Sequence, residues 1–162
     1  MQQVLIKNII RQLNEIHDGA LWFDECYKNR IDNLSDEEAL ARPIPQIHSV
    51  AELVSHCLAW RKECMLRFKG LRTELMHSRD DWKDNIELDK MGWANLKIAF
   101  YESQAELIRL IENQDDTYLE KKNSASECNF HYLIEGIIHH DLYHLGQIGI
   151  TIKLLNENKN FT

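Results

Sequence analysis

Apolar residues recur at helical spacing through four long stretches of this 162-residue chain, and no proline interrupts any of them. The two prolines both fall in Arg42-Pro43-Ile44-Pro45, where proline disfavours helix in the residue before it and an extended segment is expected. An all-α fold follows, and the length suits one domain over residues 1–162 with a sizeable core. The first stretch covers about residues 3–30, with Ile6, Ile9, Ile10, Leu13, Ala20 and Tyr27 on its stripe and His17 and Asp24 on the same side. The acidic run Leu34 to Glu38 reads as one helical turn capped by Ser35. The second helix opens on a capping box, Ser49-Val50-Ala51-Glu52, and runs to about Lys69 before Gly70. A polar connection over residues 71–90 carries Asp80-Asp81-Trp82 and is expected to hold at most one turn of helix, and so long a connection is often functional. The third helix covers about 91–113, a second polar connection 115–127, and the fourth helix 129–156. Four helices of this length suit a four-helix bundle, and the long connections leave room for a crossover.

The fourth helix carries His140 and His144, whose spacing puts both on one face about 40° apart. That face is otherwise apolar, formed by Leu133, Ile137, Ile148, Thr151 and Leu155. A single histidine on an apolar face is most often a core residue with a satisfied hydrogen bond. A pair one turn apart points more strongly to a divalent metal, for which neutral imidazole is a good ligand. Two imidazoles bind weakly, so a third ligand is required. By spacing alone two histidines contend. His17 lies nearer the centre of its own stripe, and His56 lies on the flank of the second helix beside Leu53 and Trp60. The three glycines of the fourth helix, Gly136, Gly146 and Gly149, suggest a close backbone approach, such as that of a partner subunit.

A net charge of −7 argues against non-specific binding to nucleic acid or to an anionic membrane, which need a basic face. No apolar run approaches the roughly 20 residues of a membrane span, and the amino terminus lacks the apolar core of an export signal, so a cytoplasmic location is expected. The four cysteines form no Cys-x-x-Cys pair and read as reduced, mostly buried thiols. Neither a P-loop nor a nucleophile elbow is present.

The stretch from Leu34 to Ala39, then Arg42 to Pro45, then His48-Ser49-Val50-Ala51-Glu52-Leu53-Val54-Ser55-His56 resembles the second-helix region of the DinB superfamily, which includes YfiT-like metal-dependent hydrolases. About 80 residues later, His140-Asp141-Leu142-Tyr143-His144-Leu145-Gly146-Gln147 is similar to that family's H-x-x-x-H-x-G-Q signature. The resemblance implies a four-helix bundle with a crossed connection, commonly a bacterial homodimer. It also implies one divalent metal, zinc or nickel, held by one histidine of the second helix and two of the fourth. Position by position these are His56, His140 and His144. His48 stands where many members have tryptophan, so it either opens the helix or approaches the site. The region around Asp24 is less regular against the family.

Three imidazoles with open positions are the donor set of a catalytic rather than a structural metal. The open position takes water, whose pKa zinc lowers to about 7, or a thiolate. The resemblance implies a metal-dependent hydrolase, or a transferase acting with a low-molecular-weight thiol on a small-molecule substrate. Glu52, Asp141 and Gln147 are candidates to orient the ligands or line the pocket, with His17, His48 and Asp24 as further pocket candidates. Glu52 also has a simpler role in the capping box, and Asp141 could be a solvated acid. The competing readings are a non-catalytic metal- or small-molecule-binding stress protein, and a plain helical dimer whose histidines are satisfied in the core.

Overall fold

The computed structural model describes residues 2–71, 74–122 and 128–159; the remainder of the span 1–162, including parts of both long connections, lies outside the described residues. Within them the chain is all-helical, with eight helices and no strand. The helices are α1 (Val4–His17), α2 (Tyr27–Ile31), α3 (Asp36–Leu40), α4 (Val50–Phe68), α5 (Asn85–Met91), α6 (Trp93–Ile111), α7 (Asp116–Leu119) and α8 (Phe130–Lys159). No helix among the described residues is long and apolar enough to cross a membrane.

Both expected serine caps form, and the one at Ser35 is, like that at Ser49, a full capping box. The hydroxyl oxygens of Ser35 and Ser49 accept from the backbone N–H of Glu38 and Glu52, and each glutamate accepts from its serine's N–H in return. The expected first helix, by contrast, breaks in two. α1 ends at His17, and the N–H groups of Asp18 and Gly19 both close on the Asn14 carbonyl oxygen. A Cβ on Gly19 would lie 2.7 Å from Glu15 Cα, so only glycine allows the chain to turn back this tightly. Beyond it Ala20 is exposed and Asp24 takes a left-handed conformation, φ 57°, before the short α2. Apolar spacing therefore continued across a helix terminator. The third helix forms over Trp93–Ile111 and holds its whole expected stripe, Leu96, Phe100, Leu107 and Ile111. Gly92, at φ 81°, separates it from α5, whose Asp84 cap and seven residues make two turns where one was expected. The second connection contains one short helix, α7.

The long helices α1, α4, α6 and α8 bury a continuous core that includes Ile6, Leu13, Tyr27, Val54, Phe100, Leu107, Ile134 and Ile148. α4 packs along both α6 and α8, and α1 packs on the same two helices. α4 and α8 run antiparallel. Near the start of α4 the His48 carbonyl oxygen accepts from Thr151 Oγ1 at 3.4 Å; near its end Cys64 Sγ approaches the Leu133 carbonyl oxygen at 3.9 Å. Between these points lies an ion pair almost wholly removed from water. Arg61 Nε donates to Asp141 Oδ2 at 2.9 Å, with Arg61 NH2 2.8 Å from the same oxygen. The Arg61 guanidinium also stacks 4.0 Å from the Phe100 ring centroid. Tyr27 adds a tie from α2 by donating to the Asp141 backbone carbonyl at 2.8 Å. Removing one member of such a pair strands the other charge, at a cost of roughly 3–5 kcal/mol. Asp141→Ala is therefore expected to lower unfolding free energy in urea by about that amount, and the double change Arg61→Met with Asp141→Leu to recover most of it. A loss for Asp141→Ala like that of an exposed surface substitution would show that the pair does not hold the seam.

Candidate metal centre

His56 on α4 projects toward α8 and meets His140 and His144 midway along the seam. His56 is 6 % and His144 4 % exposed, and His140 is half-buried. The His140 Nε2 lies 3.1 Å from His56 Nε2 and 3.2 Å from His144 Nε2. Two nitrogens bound to one tetrahedral cation at zinc–imidazole distances would be about 3.3–3.4 Å apart, so only a small spreading separates this cluster from a ligand set.

The outer nitrogens of two rings identify their tautomers. His56 Nδ1 donates to the Asp81 backbone carbonyl at 2.9 Å, and Asp81 Oδ1 lies 3.0 Å away. With the Gln147 amide oriented as it stands, His144 Nδ1 donates to Gln147 Oε1 at 2.6 Å, and Gln147 Nε2 donates to the Tyr143 hydroxyl at 3.1 Å. Both imidazoles, when neutral, therefore carry their proton on Nδ1 and present a bare lone pair at Nε2. His140 can supply at most one proton to the space between the three nitrogens. Its own Nδ1 is buried without a hydrogen-bond partner, as is Asp141 Oδ1, 4.0 Å away. Converging lone pairs with too few protons repel one another, and a bound cation removes that conflict. The donor set therefore fits a divalent metal.

Burial lowers the pKa of His144 to about 4, with the neighbouring His140 as the next cause, and burial likewise lowers that of His56. Both rings are thereby kept in the neutral form that ligates metal.

A second group, Cys57, His140 and Asp141, also has atoms within reach of a common ion. It is the poorer set. Asp141 is engaged by Arg61, and the Cys57 thiol, 3.3 Å from the Tyr27 hydroxyl, is held protonated by burial well above its ordinary range. The other three-residue group is His56, His140 and His144, and it could hold a metal ion.

The remaining candidates are distributed around this cluster. Gln147 touches His144 directly. Glu52 is buried, but its carboxylate accepts from Arg42 Nε at 2.9 Å and the Ser49 N–H at 2.8 Å, serving the helix cap. His48 lies 3.6 Å from Glu52 and stacks on Trp82, centroids 4.1 Å apart. Asp141 pairs with Arg61 behind His140. His17 is not brought to the cluster: it packs edge-on against Tyr101 at 4.8 Å. Asp24 is exposed in the turn that ends the first helix region. No close backbone approach within the chain explains the α8 glycines, since a Cβ on Gly136 or Gly146 would meet nothing within 4 Å.

Sequence reasoning missed Asp81, Trp82 and Trp60. Trp82 stacks on His56 at 3.8 Å and is sandwiched between it and His48; Trp60 Nε1 donates to Asp81 Oδ1 at 2.8 Å. The one signal was the length of the connection that carries Asp80-Asp81-Trp82. All four cysteines are free, and three are buried.

Because folding lowers the affinity of His144 and His56 for protons, the metal-free protein should be most stable above about pH 6.5, where these rings are neutral in both states, and should lose stability as pH falls toward 4. His144→Leu is expected to lose less stability than the parent between pH 7 and pH 5, as read from urea midpoints with a chelator present. An equal loss in both would contradict the assigned cause.

The family model described as the DinB superfamily matches residues 27–148. No curated protein matches the chain.

Proposed function

The chain belongs to the DinB superfamily, and from that premise we propose that it is a metal-dependent enzyme, a hydrolase or a small-thiol S-transferase, working with one divalent cation per chain at His56, His140 and His144. The observation that carries this reading is the convergence of three Nε2 atoms, with the Nδ1 of His56 and of His144 each engaged by an oxygen on its outer side. Zinc and nickel both suit three imidazoles. Such a cation, when bound, supplies Lewis-acid activation of a water, a thiol or a substrate carbonyl.

The chain's own groups do the positioning. Asp81 and Gln147 each take an imidazole N–H and so orient the ligand ring toward the centre. Trp82 covers the flank of His56 and limits the approach of water from that side. The fold we read as a four-helix bundle with a crossed connection, supported by α1 and α4 each packing on α6 and α8. The functional unit is proposed to be a homodimer, supported by exposed Tyr143 and Ile150 on the outer face of α8.

Untagged protein is expected to contain about one divalent metal per chain by elemental analysis, and His140→Ala to contain almost none. A folded parent that stays metal-free after supplementation would overturn the reading. Gln147→Leu should weaken zinc binding by roughly 10- to 100-fold in competition with a chromogenic chelator; unchanged affinity would remove Gln147 from the site. Metal-loaded protein is expected to turn over members of one of two panels, amides and esters or small thiols with electrophilic acceptors. A full metal site with no turnover in either panel would favour a binding protein over an enzyme.

A further inference from the structure

Next to the histidine cluster the α4–α8 seam opens into a crevice of about 190 Å³. Its walls are apolar: Trp60 and Cys64 from α4, Leu133 and Ile137 from α8, with Gly136 at the side and His140 at the end nearest the cluster. We infer, resting on the metal-site reading above, that this crevice is the subsite for a neutral apolar arm of the substrate, an aromatic ring or branched alkyl group, whose polar reacting end lies at His56, His140 and His144.

Four observations support this. His140 lines the crevice and also belongs to the cluster, so the crevice ends against one of the three rings. Asp81 accepts from both His56 and Trp60, so one residue holds a ligand ring and a crevice wall in fixed relation. Size selects the occupant: an apolar cavity of about 150 Å³ takes up benzene, so this one suits a single ring. Gly136 also gains a reason. Glycine inside a helix is destabilising relative to alanine, yet a Cβ here would touch nothing within 4 Å, so packing within the chain does not require it. What the missing side chain preserves is the open crevice. The polar groups present do not call for a charged arm. Glu63 and Arg67 at the rim are paired with each other at 2.7 Å, and burial pushes the Cys64 thiol up to about 12, leaving it a small apolar wall.

The test uses the zinc-loaded full chain and two hydroxamic acids with the same metal-binding head, acetohydroxamic acid and 3-phenylpropionohydroxamic acid. Zinc content is measured first, then both affinities by calorimetry. Burial of the ring is expected to make the phenyl compound bind about ten- to a hundredfold more tightly. Gly136→Leu should erase that preference while leaving zinc content and acetohydroxamic acid affinity unchanged, and Gly136→Ala should reduce it only partly. A parent that takes up no zinc would overturn the metal-site reading and this inference with it. Equal affinities in a zinc-loaded parent would overturn the inference alone. So would a Gly136→Leu protein that keeps the preference, or one that changes oligomeric state without changing the preference.

Discussion

Arg61 of α4 and Asp141 of α8 face each other at the centre of the protein with almost no access to water, and their pairing sets how the two helices lie against one another. A shift along the seam would separate the two charges and leave each buried alone, which costs far more than a few exposed contacts could return. His56 lies five residues before Arg61, and His140 immediately precedes Asp141. The register that satisfies the ion pair therefore also brings the three imidazoles together. The polar groups of the seam are coupled: one buried pair organises the helices, and the cluster beside it inherits its geometry.

The cluster is itself an unresolved electrostatic problem for a bare polypeptide. The backbone carbonyl of Asp81 places the His56 proton on Nδ1, the amide oxygen of Gln147 faces Nδ1 of His144, and burial keeps the rings neutral. Lone pairs are left pointing at one another across about 3 Å. Core histidines that serve packing alone are satisfied by complementary donors and acceptors; these three could instead hold a metal ion.

How far this was legible in the sequence depended on whether the signal was local. Ser35, and Ser49 with Glu52, announced their helix starts, because a cap is made entirely by neighbours in the chain. The face shared by His140 and His144 followed from helix geometry alone. His56 did not: periodicity slightly favoured His17, and the resemblance to the DinB superfamily singled His56 out. His17, the last residue of α1, packs against Tyr101 instead, and beyond the turn at Gly19 only the short α2 resumes the expected helix. Asp81 and Trp82 were not legible as individual residues. Their role arises because Asp81 and Trp82, in the connection between α4 and α5, lie against His56, a contact that no spacing rule encodes.

The most direct test of three convergent imidazoles is to follow the histidine ring nitrogens as metal is added. Metal-free protein labelled with ¹⁵N at histidine would be titrated with zinc, and the Nε2 and Nδ1 resonances of all eight histidines assigned. The account predicts that Nε2 of His56, His140 and His144 shift together and stop shifting at one equivalent, with Nδ1 of His56 and His144 remaining protonated throughout. A response that omits His56, or that reports binding through Nδ1, would contradict it.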